Sequence, residues 1–323
     1  MTNIKFIGDG HHLYVALIRL ILLLKQKVKT EMKKILFATD FSENAEKSFA
    51  YALNIAAKNR ADLIMLHVFD IPTSVQFPHT ENPLEMEKQA INDAENKLKG
   101  LFEKYNVDIN VEYITVENTS VAKGVLSTAK DKEPGLVVVG TKGGSKVKEA
   151  IVGSTTKTLI NQCPIPVLAI PENAHYRGLN KVVYATDFRE DDILAIQQLI
   201  DFIEPFDPEI TVVHVSTPKE YKGDEKMEWF KNALRAKTSK KGIKFQLLLA
   251  DNIYERLQSY IKRYEFDLLV MLEKERNGLF DRLFHRDLVK RLEFHTSTPV
   301  MSFSEHFLHL GSKENFKSSG IIN

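Results

Sequence analysis

KILFATDF, residues 34–41, returns as KVVYATDF at residues 181–188, and that return decides the fold. Each copy is a short run of β-branched and aromatic residues ending in Ala-Thr-Asp-Phe, the pattern of a strand running into a turn. The copies stand 147 residues apart, and the spacing holds further on, where Leu66-His67-Val68 is answered by Val213-His214-Val215. The offset then shortens: GLVVVG at 135–140 matches DLLVML at 267–272, and PVLAI at 166–170 matches PVMSF at 299–303. A shared order with drifting loop lengths is what a duplicated domain leaves behind.

Within each copy the hydrophobic period alternates. Strand-like runs at 34–39, 62–69, 109–116, 135–140 and 166–170 are separated by helical patterns at about 43–59, 84–105, 119–130 and 154–162. The first helix puts Phe49, Leu53 and Ala56 on one face, with Glu43, Glu46, Lys47 and Lys58 mostly elsewhere. The second copy repeats this with strands near 181–186, 209–215, 243–249, 267–272 and 299–303 and helices near 190–203, 224–240, 251–264 and 284–295. Unbroken apolar runs such as LVVVG suit strands covered on both faces. Strand–helix alternation of this kind predicts α/β domains in tandem, each with a parallel sheet and helices on both sides. The domains are expected at 32–171 and 179–303, joined near 171–179, with a Ser/Lys-rich tail over 304–323.

Composition narrows the function classes. With 44 Lys+Arg against 43 Asp+Glu, the formal charge of +1 supplies no global pull toward nucleic acid or an anionic membrane. The single cysteine, Cys163, excludes an intramolecular disulfide and fits a reducing cytoplasm. Residues 1–31 form an extension whose apolar run, Leu13 to Leu24, is shorter than the roughly 20 residues a membrane span needs. An amphipathic anchor is the alternative to an appendage ahead of a start at Met32, and the appendage is preferred; no stable membrane insertion is expected.

The stretch VVVGTKGGSKVKEAIVGST, 137–155, carries the chemistry. Gly140, Gly143 and Gly153 let the backbone approach an anion closely. Ser154 is placed to cap the helix that follows, whose free N–H groups and dipole favour phosphate. Lys142, Lys146 and Lys148 add positive charge along the loop. The spacing is neither GxxxxGK[ST] nor GxGxxG, and by itself it also describes a strand-to-helix turn without a ligand. His67 and His214 end equivalent strands and read as structural histidines bonded to backbone. Cys163 reads as a packing residue, and the histidines at 285, 295, 306 and 309 are too dispersed for a metal site. Lys231, Lys237, Lys240 and Lys241 lack the interleaved aromatics that nucleic-acid stacking wants.

ATDF after the first strand, LHV at the second and G-x-x-G-x9-G-S near the end together resemble the universal stress protein family, fully over 32–171 and in part over 179–303. The resemblance implies two tandem adenine-nucleotide α-hydrolase-like (Rossmann-like) domains, each a five-stranded parallel sheet with helices on both faces. It implies ATP as ligand, with Mg2+ or Mn2+ as accompanying ion. It places Ala38, Thr39 and Asp40 of ATDF and His67 and Val68 of LHV at the nucleoside, with Asp40 at the ribose or adenine and the Val68 backbone at the adenine edge. Gly140 would lie by the ribose, and Thr141, Lys142, Gly143, Gly153, Ser154 and Thr155 at the phosphates. It also implies that PVLAI and PVMSF pair with each other, making an intramolecular pseudo-dimer that leaves room for a homodimer.

The second copy departs from this pattern. Leu272 stands opposite Gly140 and Glu275 opposite Gly143, while His285-Arg286 falls near Gly153–Ser154. Glu273 and Glu275 would repel phosphate at short range. The expectation is therefore a cytoplasmic ATP-binding stress-response regulator with one site in two domains, an unidentified protein partner, and at most slow ATP hydrolysis. The competing readings are a nucleotide-independent interaction module, a slow ATP hydrolase or another hydrolase or nucleotidyl transferase on the same fold, and another ligand at the altered second rim.

Overall fold

The computed structural model describes residues 32–70, 83–141, 153–218, 223–273, 297–304 and 308. The first half runs β1 (Lys34–Ala38), α1 (Glu43–Asn59), β2 (Asp62–Phe69), α2 (Pro83–Glu103), β3 (Val111–Glu117), α3 (Val121–Lys132), β4 (Leu136–Gly140), α4 (Ser154–Gln162) and β5 (Val167–Ile170). The second runs β6 (Lys181–Ala185), α5 (Glu190–Ile203), β7 (Glu209–Ser216), α6 (Gly223–Lys237), β8 (Lys244–Leu249), α7 (Ile253–Tyr264), β9 (Leu268–Glu273) and β10 (Val300–Ser304). A 3-10 turn, Glu204–Phe206, which periodicity did not anticipate, follows α5. The helix expected near 284–295 and the tail beyond 308 lie outside the described residues.

All ten strands form one sheet in the order β3-β2-β1-β4-β5-β10-β9-β6-β7-β8. Every pairing is parallel except β5 with β10, where Val300 faces Ala169 and Ser302 faces Val167. The expected pairing of PVLAI with PVMSF is thus present, and it fuses two five-stranded parallel sheets into one. Register gives the repeat a firm alignment. Ile35 pairs with Leu136 and Val182 with Leu268, while Phe37 pairs with Val138 and Tyr184 with Val270. Leu272 therefore stands where Gly140 stands, and Glu273 where Thr141 stands.

Helices cover both faces, each over its own apolar layer. One layer runs without a break across both halves and includes Phe37, Phe49, Tyr51, Leu168, Tyr184, Phe230, Met301 and Phe303. The other joins Leu36, Leu66, Val137, Leu159 and Cys163 to Val183, Val213, Leu257 and Met271. Cys163 is buried there and its thiol pKa is pushed up to about 11, mainly by burial. It is a packing residue.

In each half the strand order reverses beside the first strand, with β1 between β2 and β4, and β6 between β7 and β9. Open α/β sheets bind ligands outside the carboxyl ends of the strands at such a reversal. Topology alone therefore points to the ends of β1 and β4, and of β6 and β9.

Candidate functional site

The first rim begins at the turn after β1. Thr39 N–H donates to the Leu66 carbonyl (2.9 Å), which carries the chain beyond the end of β1 while still tied to β2. Phe41 takes a left-handed backbone, φ 60°, which costs an L-residue roughly 1–2 kcal/mol. Two contacts hold it: its N–H donates to Thr39 Oγ1 (3.0 Å), and its ring lies 4.5 Å from the His67 ring. The His67 Nδ1–H donates to the Thr39 carbonyl (2.8 Å), so this nitrogen carries the proton, because a carbonyl oxygen can only accept. Asp40 accepts the Ser42 N–H (3.1 Å) on Oδ1 and is exposed at the rim. Ser42 in turn caps α1 by accepting from Ala45 N–H (3.2 Å).

The second half repeats this turn 147 residues later. Thr186 N–H donates to the Val213 carbonyl, Phe188 has φ 62° and lies 4.2 Å from the His214 ring, and His214 Nδ1–H donates to the Thr186 carbonyl (2.6 Å). The reading of both histidines as backbone-bonded structural residues agrees with this geometry.

At the end of β4 the two halves part. A Cβ built on Gly140 would lie 2.7 Å from Asn44 Nδ2 and 3.2 Å from Ser48 Oγ. Glycine is needed here because α1 lies against the strand end, a packing reason that sequence reading did not find. The Gly140 carbonyl also accepts from Thr156 Oγ1 (2.9 Å), tying β4 to α4. Asn44, Ser48 and Thr156 were absent from the sequence reading, since each lies within an ordinary helical pattern. In the second half Ala195 stands at the position of Ser48, and Leu272 fills the space, buried in the shared apolar layer. Gly140→Ala should accordingly cost about 1–3 kcal/mol through overpacking. Adding Asn44→Ala should recover most of that in urea-melt stability.

The glycine loop leaves and returns through a narrow neck. Thr141 N–H donates to the Ile170 carbonyl (2.9 Å), and Gly153 N–H donates to the Thr141 carbonyl (2.6 Å). Lys142 and Gly143, with Lys146 and Lys148, lie outside the described residues. Below the neck, α4 opens with Gly153 as N-cap (φ −61°, ψ 154°), without a side-chain cap and without an acidic residue in its first turn. This corrects the expectation that Ser154 caps the helix. The chain is already helical at Ser154, so the half-turned residue whose side chain could accept is a glycine with none. Ser154, Thr155 and Thr156 then present the first-turn amides, and the helix dipole favours an anion in front of them. A Cβ at Gly153 would sit 3.1 Å from the Thr141 carbonyl oxygen.

Ala38 thus ends β1 with Thr39 and Asp40 in the turn after it, His67 and Val68 lie toward the end of β2, and Gly140, Thr141, Gly153, Ser154 and Thr155 gather at β4 and α4. Val68 is held closely from behind, since a Cβ on Gly124 of α3 would come within 2.7 Å of its Cγ1.

The second rim retains a cavity of about 330 Å3 lined by Thr186, Asp187, Arg189, His214 and Lys226 among others. Its chemistry differs. The position of Thr141 is taken by a buried carboxylate, Glu273. Asp192, also buried, accepts hydrogen bonds from the Tyr184 hydroxyl (2.7 Å), the Thr186 hydroxyl (2.8 Å) and the N–H groups of Asp187 and Arg189 (3.1 Å each). Burial pushes its pKa upward against these bonds, which act to lower it. Among the described residues there is no group of three or more His, Cys, Asp and Glu placed to hold a metal, and no helix long and apolar enough to cross a membrane.

Known proteins are similar to this chain in sequence and in architecture. The model of the universal stress protein family matches residues 31–171. A universal stress protein of Bacillus subtilis, YxiE, is 30% identical over 148 residues, covering 42% of this chain and 97% of its own. Universal stress protein MJ0531 of Methanocaldococcus jannaschii is 28% identical over 141 residues, covering 43% and 81% respectively. The crystal structure of a universal stress protein from Archaeoglobus fulgidus superposes with a TM-score of 0.61 over 85% of this chain and 99% of its own, at 14% identity, and so shares the fold through both halves. With ATDF, LHV and the glycine neck set at the strand ends of a fold shared by these proteins, the chain belongs to the universal stress protein family.

Proposed function

We propose that the first half binds ATP across the carboxyl ends of β1, β2 and β4, and that the chain is a nucleotide-controlled stress-response regulator. The observation that carries the reading is the start of α4, where amides without a side-chain cap face the rim beside a neck closed by Gly153. Phosphates take the place of the missing cap, and the glycine at 153 allows the backbone to come close. Asp40 offers a carboxylate to ribose hydroxyls, and the backbone at Val68 reads the adenine edge. Lys142 and Gly143 are proposed as further phosphate ligands on the family resemblance alone. A divalent ion, Mg2+ or Mn2+, would accompany the phosphates.

Binding, not turnover, is the role this rim supports. Phosphoryl transfer needs groups that position water and neutralise developing charge. Here the His67 Nδ1–H is committed to the Thr39 carbonyl and Asp40 accepts from Ser42. In the second half the domain serves as structural partner, with Glu273 set against phosphate. Domains at 32–171 and 179–303, and a cytoplasmic location suggested by the lone cysteine, complete the proposal.

Ser154→Glu tests it with two readouts of opposite sign. Ser154 is exposed at the first helical position, where a carboxylate stabilises the helix by about 0.3–1 kcal/mol. The same charge would sit where phosphate is bound, so Mg-ATP affinity should fall tenfold or more by titration calorimetry. Unchanged affinity, or no Mg-ATP binding by the wild type, overturns the proposal. Glu273→Gln should leave ATP affinity unchanged.

A further inference from the structure

A cavity bounded by described residues lies away from both rims. It measures about 530 Å3 and opens at the seam between the halves, a size typical of small-molecule sites. One wall comes from the first half, with Tyr51 of α1 and the segment after β5 that carries Asn173, His175 and Arg177. The other comes from α7 with Gln258 and Lys262, from the Glu265–Asp267 turn and from the start of β10. Leu257, Ile261 and Val300 supply an apolar floor. Neither half holds the site alone.

The antiparallel joint explains its position. Val300 pairs with Ala169, and Ala169 pairs with Val139. Neighbouring strands lie about 4.8 Å apart, so Val300 is about 10 Å from Val139, the residue before Gly140. Reversing strand direction at the seam thus brings the amino ends of β6, β9 and β10 to the same edge of the sheet as the first rim.

The charges lining the cavity are unequally committed. Asp267 Oδ2 accepts the N–H groups of Asn180 (2.8 Å) and Lys181 (2.9 Å), and Lys181 Nζ donates to the Tyr264 carbonyl (3.4 Å). Arg177 and Lys262, from opposite walls, form no ion pair among the described residues. The Tyr51 hydroxyl, held neutral by burial and by the charge of Asp267, is a further donor. Arg177 and Lys262 share the lining with Lys181 and His175 and with the carboxylates of Glu265 and Asp267, of which Asp267 is already bonded to two backbone N–H groups.

We propose that the seam cavity binds a small, multiply charged anion bearing phosphate or carboxylate groups, clasped between Arg177 and Lys262. The site is separate from the first rim and stands whether or not that rim binds ATP. The test is a methyl NMR titration of the full chain labelled at isoleucine δ1, with pyrophosphate in one arm and citrate in the other. The Ile261 methyl should shift saturably in at least one arm, and the responding arm identifies the anion class. Arg177→Ala and Lys262→Ala should each weaken that binding about tenfold, and added salt should weaken it further. Both side chains are exposed, and Lys262→Gln, which keeps the stem, should show the same loss with an otherwise unchanged spectrum. Ser154→Glu should leave the Ile261 response intact. An Ile261 methyl that stays fixed in both arms, or a shift that survives loss of both cations, overturns the proposal.

Discussion

Replacing Asp192 by alanine should cost the protein about 3–5 kcal/mol, the range for removing one member of a buried charged network. Total stability of a domain is about 5–15 kcal/mol, so urea melts should show the second half failing early. The reason lies in four donors that converge on one side chain. The hydroxyls of Tyr184 and Thr186 and the N–H groups of Asp187 and Arg189 all point at the Asp192 carboxylate, which is 3% exposed. Alanine removes the acceptor of all four, and the two hydroxyl bonds are buried, where an unsatisfied group costs about 1–3 kcal/mol.

Asparagine at the same place should be far milder, and its pH dependence gives a sign to check. With its carbonyl oxygen where Oδ2 stands, asparagine keeps three donors, and the Tyr184 hydroxyl can rotate to accept from the amide. Asp192 in the folded protein has a raised pKa, chiefly from burial. The folded state therefore holds this proton to a higher pH than the unfolded chain does. Its contribution is most favourable below the unfolded value of about 3.9 and declines as pH rises through the folded pKa. The stability difference between wild type and Asp192→Asn should shift in favour of asparagine over that interval and stay flat above it. A flat difference throughout would mean that the hydrogen bonds just balance the burial, and a shift in favour of aspartate would mean that they outweigh it.

The same backbone turn is thus held in two ways. In the first half position 45 is alanine and position 37 phenylalanine, and Ser42 caps the helix from outside. In the second half Asp192 and Tyr184 take those places, and Arg189 replaces the capping serine. The nearly equal φ angles of Phe41 and Phe188 show that the turn is inherited and its internal support renegotiated.

Which parts of this were legible follows from how far apart the participants lie in sequence. The strands were readable because both their faces are covered, which forces runs such as LVVVG and LIML into nearly continuous apolar residues. The duplication was readable because ATDF must end a strand in a fixed geometry, and β5–β10 pairing followed from the resemblance the motifs carry. Other features were out of reach. DD at 191–192 offers two adjacent acids, and only the helix phase turns Asp192 inward. The glycine at 140 suggested a ligand, whereas the nearest atoms to its missing Cβ belong to Asn44 and Ser48, about a hundred residues earlier. Ser154 looked like a cap because serine favours that position, but a one-residue shift in the helix start gives the role to Gly153. The seam cavity draws residues from α1, the inter-half segment, α7 and β10, and no local pattern marks such a set.

Cutting the chain after Gly178 should convert it into a homodimer. In the full chain β5 is an interior strand: Val167, Leu168 and Ala169 are each no more than 2% exposed and are covered by β10 and the shared apolar layer. Residues 32–178 alone would leave a short apolar edge with unpaired N–H and C=O groups, a template for another strand. The partner it lost was antiparallel, and antiparallel pairing about Leu168 is self-complementary, so a second copy can satisfy it by a two-fold contact. Light scattering should therefore give twice the mass of the segment, falling to a monomer on dilution, because the covalent link no longer supplies a high effective concentration. Leu168→Lys in the truncated segment should abolish the dimer by placing a charge on the edge. In the full chain the same substitution forces a cation opposite Met301, which is wholly buried, and should destabilise the seam by several kcal/mol, as an unpaired buried charge does. A truncated segment that stays a folded monomer at every concentration would show that the first half does not need the seam.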